Sequence, residues 1–144
     1  MLKSYVIDSS VYVSAFLPDE LKHDESRRFM KMLHDSPIEV YLPALVVAEV
    51  FNVLMRSRKY KADFLQDVVR QFIDQAHARL IPLDSTWLLS LPRVPKGMRL
   101  KTSDLTVVFT AWLTKSVLVT WDGKMKKQAA KYVDVRTPEY FLRA

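Results

Sequence analysis

Four acidic residues stand at positions where their carboxylates are predicted to meet: Asp8, Glu49, Asp104 and Asp122. Asp8 ends the β-rich run SYVID, and Asp122 directly follows the run SVLVTW. Asp104 opens a helical stretch, whereas Glu49 lies inside the apolar segment LVVAEVFNVL. Ligands of parallel α/β sheets bind beyond the carboxyl ends of the strands, so Asp8 and Asp122 are predicted to face one crevice if their strands are neighbours.

The chemistry of such a cluster depends on what neutralises it. Four converging carboxylates repel one another unless a cation holds them. Oxygen ligands without histidine or cysteine select a hard ion, so we expect Mg²⁺ or Mn²⁺. Such an ion bridges phosphate oxygens and lowers the pKa of a bound water. The chain carries 22 basic and 16 acidic side chains, a formal net charge of +6, which favours a polyanionic partner. The combination predicts phosphodiester cleavage.

Each acid also has a purely structural interpretation. Asp8 and the dipeptide Asp122-Gly123 have the composition of turns or caps, and Asp104 would complement a helix dipole. Glu49 would need a salt bridge, because an unpaired carboxylate buried in an apolar helix is costly. A shared metal site explains all four acids together.

Strand and helix signals alternate along the chain. Strands are predicted at 4–8, 38–42, 79–83, 116–121 and 133–136, with helices at 24–34, 43–57, 61–78, 85–91, 103–114, 124–131 and 138–142, and a further helix start at Ser9-Ser10. The helix 61–78 rests on the 3.6-residue period of Phe64, Leu65, Val68, Val69, Phe72, Ile73 and Ala76. This alternation predicts an α/β fold with a mostly parallel central sheet and helices on both faces. Without linkers or repeats, residues 1–144 are expected to form one domain.

Composition excludes several classes of protein. The absence of cysteine rules out a disulfide framework, a thiol nucleophile and a zinc ribbon. The longest apolar run, 44–50, is interrupted by Glu49 and is far shorter than the roughly 20 residues of a membrane span. The N-terminus lacks the apolar core of a signal peptide, so we expect a cytoplasmic protein with no membrane partner. Two glycines and a single asparagine are typical of thermophile chains.

Basic side chains flank two of the acids. Arg93, Lys96, Arg99 and Lys101 form a loop that runs into the Asp104 helix, and Lys124 follows Asp122. We expect these side chains to contact RNA phosphates, although a solvated loop would have the same composition.

The ordered motifs VIDSSV, VVAEVFNVL, KTSDLTVVFTA and LVTWDGKM resemble those of PIN-domain ribonucleases, in particular the VapC-like toxins of toxin–antitoxin pairs. By this resemblance the metal-site acids are Asp8, Glu49, Asp104 and Asp122, and Ser9 and Thr120 occupy the usual small-hydroxyl positions. The resemblance implies a Mg²⁺- or Mn²⁺-dependent endoribonuclease that forms a homodimer and is inhibited by a small antitoxin reaching into the acidic site. Trp121 departs from the family pattern, and we expect it to narrow the RNA path or to stack on a base.

Two other functions are compatible with the same fold. One is an RNA-binding or interaction module that has lost catalysis, against which the presence of all four acids argues. The other is a structure-specific DNA nuclease or an RNA-maturation enzyme. The short chain, without extra loops or a second domain, favours the toxin.

Overall fold

The computed structural model describes residues 3–75 and 77–143. Its strands are β1 (Ser4–Ile7), β2 (Glu39–Pro43), β3 (Ala78–Ile81), β4 (Val117–Val119) and β5 (Val135–Arg136). They form a five-stranded sheet in the order β3-β2-β1-β4-β5, and each neighbouring pair is parallel. The α/β prediction is therefore confirmed, with β1 at the centre of the sheet.

Helices connect the strands. They are α1 (Ser9–Phe16), α2 (His23–His34), α3 (Ala44–Ser57), α4 (Ala62–Asp74), α5 (Ser85–Ser90), α6 (Thr102–Thr114), α7 (Gly123–Ala129) and α8 (Pro138–Leu142), with a 3₁₀ turn at Leu91–Arg93. Tyr5, Val6 and Ile7 of β1 are all buried. Because successive side chains of a strand point to opposite faces, both faces of the sheet are covered. Within the described residues, none of the helices has the length and apolar character that a membrane span requires.

Helix α6 is the most enclosed helix and carries one of the four acids. Residues 106–111 are buried without interruption, so this helix packs on every side. Its buried threonines satisfy their hydroxyls inside the helix, since Thr106 donates to the Thr102 carbonyl at 2.8 Å and Thr110 to the Thr106 carbonyl at 2.7 Å. Asp104 lies in the N-terminal turn of α6, just before this buried stretch.

The predicted helix 61–78 was too long. Helix α4 ends at Asp74, and Ala78 already belongs to β3, where it pairs with Val40. Leu65, Val68 and Phe72 are buried as predicted, whereas Phe64 and Ile73 are exposed. The buried stripe of α4 is therefore narrower than its apolar period suggested; Ala76 lies outside the described residues.

Candidate active site

The candidate site lies at the carboxyl edge of the two central strands. β1 and β4 are neighbours, with Ile7 opposite Val119, as the sequence interpretation required. The backbone N–H of Asp8 continues the ladder by donating to the Val119 carbonyl at 2.9 Å. Asp8 and the segment that leads to Asp122 therefore leave the sheet side by side.

Asp8 is buried, and two hydroxyls hold its carboxylate. Ser10 Oγ and Thr120 Oγ1 each donate to Asp8 Oδ2 at 2.8 Å. Thr120 Oγ1 in turn accepts the backbone N–H of Asp122 at 3.0 Å. A single threonine thus ties the first acid to the last one. Two hydrogen bonds to one oxygen satisfy a carboxylate that would otherwise be costly to bury.

The serine that contacts Asp8 is Ser10, one residue beyond the Ser9 that the resemblance indicated. Asp8 is the extended residue before α1, and Ser9 is the first helical residue. The helical turn brings the side chain of the next residue back over Asp8, which is why the Ser10 hydroxyl forms the bond. The signal for Ser10 was its place two residues after an acidic residue that precedes a helix.

Asp122 is exposed and caps α7. Its Oδ1 accepts the backbone N–H groups of Lys124 at 2.9 Å and Met125 at 3.1 Å. Asp122 is therefore a helix cap, as its structural interpretation predicted, because Oδ1 accepts backbone N–H groups that the first turn of α7 leaves unpaired. A capping role does not exclude a second one, because a carboxylate has several acceptor positions.

Glu49 and Asp104 reach the same edge of the sheet from α3 and α6, two helices in contact with each other. Burial raises the pKa of Glu49, and the negative charges of Asp8 and Asp104 raise it further. Burial likewise raises the pKa of Asp104, followed by repulsion from Asp122 and Asp8. Asp8 therefore lies close enough to repel both Glu49 and Asp104, and Asp122 lies close enough to repel Asp104. We refer to these four residues as the acidic cluster.

The salt bridge suggested for Glu49 is not found. Across residues 3–75 and 77–143, none of the four acids takes part in an ion pair. The helix of Glu49 is also less enclosed than its sequence suggested, because Val53 and Met55 are exposed while Val46, Val50 and Leu54 form its buried stripe.

The donor set fits a hard divalent cation in its chemistry. All four groups are carboxylates, and the pKa values of Glu49 and Asp104 are raised first by burial and then by the neighbouring carboxylates. The cluster is nevertheless open: in the part of the chain that the structure describes, no three acidic or histidine side chains are close enough to hold one ion. Binding an ion would require the carboxylates to turn towards one another.

Two of the predicted phosphate-binding residues lie beside the cluster. The positive charges of Lys101 and Lys124 oppose the rise in the pKa of Asp104. Lys101 precedes the first residue of α6, and Lys124 is the second residue of α7. Arg93, Lys96 and Arg99 are exposed along the segment that leads to α6. That segment is anchored, because Met98 within it is buried.

A family model of the PIN domain matches residues 5–131. The chain belongs to the PIN domain family. The predicted relationship is thus confirmed over most of the chain. Comparison with curated protein sequences gives no significant match.

Solved PIN-domain structures share the fold at low sequence identity. VapBC2 from Rickettsia felis, bound to a DNA fragment from its promoter, has a TM-score of 0.65 and 16% identity, covering 93% of this chain and 98% of that chain. VapC20 from Mycobacterium tuberculosis, a toxin that cleaves the sarcin–ricin loop, has a TM-score of 0.66 and 15% identity, covering 92% and 98%. FitAcB from Neisseria gonorrhoeae has a TM-score of 0.60 and 19% identity, covering 94% and 99%.

In this PIN domain the side chain of Trp121 turns inwards. Its Nε1–H donates to Ser26 Oγ at 2.7 Å, and Lys22 Nζ lies 5.0 Å from the ring centroid. Lys22 also donates to Glu139 Oε1 at 2.8 Å. One face of the indole is therefore covered by a cation that is itself held in place, which leaves less of the ring for a base than the sequence suggested.

Proposed function

We propose that this PIN domain is a metal-dependent endoribonuclease and the toxin of a toxin–antitoxin pair. The observation that supports the proposal is the repulsion that links the four acids, since Asp8 raises the pKa of both Glu49 and Asp104, and Asp122 raises that of Asp104, in addition to burial. Lys101 and Lys124 beside this cluster supply positive charge for a phosphate backbone. A basic surface around an acidic cluster suits hydrolysis of a nucleic acid.

The four acids would hold Mg²⁺ or Mn²⁺, which supplies an activated water and neutralises charge on the leaving oxygen. The residues of this chain have separate tasks. Thr120 and Ser10 hold Asp8 in one orientation through their 2.8 Å hydrogen bonds. Lys101 and Lys124 bind phosphate oxygens of the RNA and keep the strand across the cluster.

The same proposal includes the partners and the location of the protein. The similar VapBC2 and FitAcB structures support a cognate antitoxin partner for this chain. That the antitoxin is small and reaches into the acidic cluster is what the resemblance to VapC-like toxins implies. A homodimer and a cytoplasmic location belong to the proposal as well. The homodimer rests on the resemblance to VapC-like toxins.

RNA cleavage with and without metal tests the activity. We expect single-stranded RNA to be cut in Mn²⁺ and left intact in EDTA, and we expect Asp104→Asn to abolish cleavage without unfolding the protein. Asp67→Asn is the matched control, because Asp67 is an exposed acid on α4. Equal cleavage in EDTA, or full activity of Asp104→Asn, would refute the nuclease.

The two alternatives give different results in the same assay. An RNA-binding module would retain RNA in a filter-binding measurement and never cut it. A structure-specific DNA nuclease or RNA-maturation enzyme would spare unstructured RNA and cut folded DNA or precursor RNA in Mn²⁺. Purification of the chain with the product of the neighbouring gene tests the antitoxin, and the mass of the free protein in solution tests the dimer.

A further inference from the structure

Trp121 directs both of its N–H groups towards the helices that follow the first acid. Its backbone N–H donates to Ser10 Oγ at 3.1 Å. Its indole Nε1–H donates to Ser26 Oγ of α2 at 2.7 Å, across 95 positions of sequence. The residue between Thr120 and Asp122 is thereby fixed at its backbone and at the far end of its side chain.

The hydrogen bonds beyond Ser26 run in one direction. An indole nitrogen only donates, so Ser26 Oγ accepts from it and must direct its own proton elsewhere. Ser14 Oγ lies 2.6 Å from Ser26 Oγ and accepts that proton. The proton of Ser14 then goes to the Ser10 carbonyl at 2.8 Å, shared with the Val11 carbonyl at 3.0 Å. Every hydroxyl in the series uses its single proton once.

The series closes into a ring, because it starts at Trp121 and ends at Ser10, the residue that also accepts the Trp121 backbone N–H. Ser10 is left with its hydroxyl proton, which it donates to Asp8 Oδ2 at 2.8 Å. Ser14 and Ser26 are buried, so water does not replace the ring bonds if one is broken. The orientation of the Ser10 hydroxyl towards Asp8 thus depends on the side chain of Trp121, two residues beyond the end of β4.

Lys22 and Glu139 also restrain the indole of Trp121, although they are not part of the hydrogen-bonded ring. Lys22 Nζ lies over the indole and is fixed there by its ion pair with Glu139 of α8. A tryptophan that is hydrogen-bonded at one edge and covered on one face has little rotational freedom.

We propose that Trp121 is a positioning residue of the acidic site, which locks the Ser10 hydroxyl onto Asp8 through the ring formed with Ser26 and Ser14. This inference rests on the proposed metal-dependent nuclease. In this proposal Trp121 acts through hydrogen bonds inside the protein and does not stack on an RNA base. Groups that hold a metal ligand from behind commonly change metal affinity or activity when they are removed, although they do not touch the metal.

The test compares Trp121→Phe and Ser26→Ala with matched controls. Trp121→Phe keeps an aromatic ring at this position but removes the indole N–H together with part of the bicyclic ring, and Ser26→Ala removes the acceptor of that N–H without changing the indole. The controls are Trp112→Phe, a half-buried tryptophan stacked on Phe109, and Ser36→Ala, whose hydroxyl donates to the Met32 carbonyl. For each protein we would measure Mn²⁺ affinity by calorimetry, kcat and KM for RNA, and hydrogen exchange of the backbone amide at position 121.

We expect Mn²⁺ affinity to fall about tenfold in both test variants, the lower end of the range for lost supporting groups. We expect kcat to fall with it, KM to change little and the amide at position 121 to exchange faster, while the controls match the wild type. Combining the two substitutions should add little, since both break one ring. A stacking role would instead raise KM in Trp121→Phe and spare Ser26→Ala.

Unchanged amide exchange, or faster exchange with normal Mn²⁺ affinity and kcat, would overturn the positioning role. A wild-type protein that neither binds Mn²⁺ nor cuts RNA would refute the proposed function and the positioning role that rests on it. In that case the exchange rates would still show whether the ring exists. The two failures are therefore distinguishable.

Discussion

Thr120 donates its hydroxyl proton to Asp8 Oδ2 at 2.8 Å although the two residues are 112 positions apart. Thr120 is completely buried and also accepts the backbone N–H of Asp122 at 3.0 Å. One hydroxyl therefore links the end of β1, the end of β4 and the cap of α7. This bond makes the position of the first acid depend on the strand that carries the last one.

Replacing Thr120 by valine should lower both stability and activity. The isosteric side chain leaves the Asp122 N–H without its partner and removes one of two donors from Asp8, so we expect a loss of about 1–3 kcal/mol in the free energy of unfolding. RNA cleavage should fall at least tenfold. Chemical denaturation and initial cleavage rates measure the two effects.

Thr110→Val is the matched control for this substitution. Thr110 is equally buried, but its hydroxyl donates to the Thr106 carbonyl inside α6. That carbonyl is a helix acceptor served by a backbone N–H as well, so its loss should be mild. Equal losses of cleavage in the two variants would contradict a specific role for Thr120.

Without metal, the stability of the protein should decline as the pH rises. Glu49 and Asp104 have folded-state pKa values above their ordinary values. The native state therefore binds more protons than the unfolded state between the unfolded and the folded pKa values, and the free energy of unfolding falls as pH rises through this window. The decline should begin at about pH 4, where unfolded carboxyl groups titrate. Melting temperatures in EDTA over this range measure it.

Glu49→Gln should remove part of that pH dependence and raise the melting temperature at neutral pH in EDTA. Mn²⁺ should stabilise the wild type more than the variant, because it binds only the folded cluster. Glu20→Gln, at an exposed position before α2, should behave like the wild type. The acidic cluster would be refuted if Glu49→Gln kept the full pH dependence and the full gain from Mn²⁺.

Asp122→Asn should also raise the melting temperature in EDTA and reduce the stabilisation by Mn²⁺. Unlike Glu49, Asp122 also caps a helix, and this cap should be retained in the variant. The substitution removes a charge that repels Asp104, which favours the metal-free protein, but the amide oxygen can still cap α7. We expect a higher melting temperature in EDTA at neutral pH and a smaller shift on adding Mn²⁺. A variant that is no more stable than the wild type in EDTA and gains equally from Mn²⁺ would exclude Asp122 from the cluster.

The salt dependence of RNA binding should reveal which basic residues contact phosphates. The slope of log affinity against log salt is about −0.7 per contact for a single strand. Lys101→Ala combined with Lys124→Ala should therefore make the slope shallower by about 1.4, measured by fluorescence anisotropy in the absence of Mn²⁺. Arg93→Ala combined with Arg99→Ala tests the loop in the same way.

The control for the salt measurements is Lys61→Ala combined with Arg70→Ala. Both residues are exposed and belong to α4 or its first flanking position. This pair removes the same charge from the protein and should leave the slope unchanged. If the pair at Lys101 and Lys124 behaves in the same way as this control, phosphate contacts at the cluster are excluded.

Tyr12 offers a prediction about the core. Its hydroxyl is buried and has no hydrogen-bond partner among the described residues, and burial raises its pKa. Tyr12→Phe should therefore be neutral or stabilising, because it removes an unsatisfied polar group. Tyr60→Phe should cost about 1 kcal/mol, since the Tyr60 hydroxyl donates to the Phe16 carbonyl. Urea unfolding measures both variants, and an equal loss of unfolding free energy in Tyr12→Phe and Tyr60→Phe would contradict the prediction.

The acids were predictable because simple rules of parallel sheets place them. Asp8 and Asp122 follow strands, and the carboxyl edge of such a sheet is where functional groups collect. Asp104 was identified by its place in the first turn of a helix, and Glu49 by being an acid in an apolar segment. The local sequence and the topology were sufficient to place Asp8 beside the segment that leads to Asp122, whereas the metal-binding role of the four acids stays a prediction.

The supporting hydrogen bonds were not predictable in the same way. Trp121 and Ser26 are 95 positions apart, and no periodic pattern links an indole to a serine across that distance. The resemblance indicated Ser9, whereas Ser10 forms the hydrogen bond to Asp8. Which serine does so depends on where the helix begins, and sequence patterns locate that only within a residue or two. The end of α4 was missed because the apolar period was followed to Ala76, whereas the helix ends at Asp74.

The order of the strands in the sheet has a consequence for the synthesis of the protein on the ribosome. β4 lies beside β1 in the middle of the sheet, yet it is the fourth strand along the chain. A ribosome that has completed β1, β2, β3 and α6 has delivered three acids, but neither Thr120 nor Asp122. The proposed nuclease is therefore assembled late in translation, and a shortened chain that ends before residue 120 carries no complete site to release into the cell.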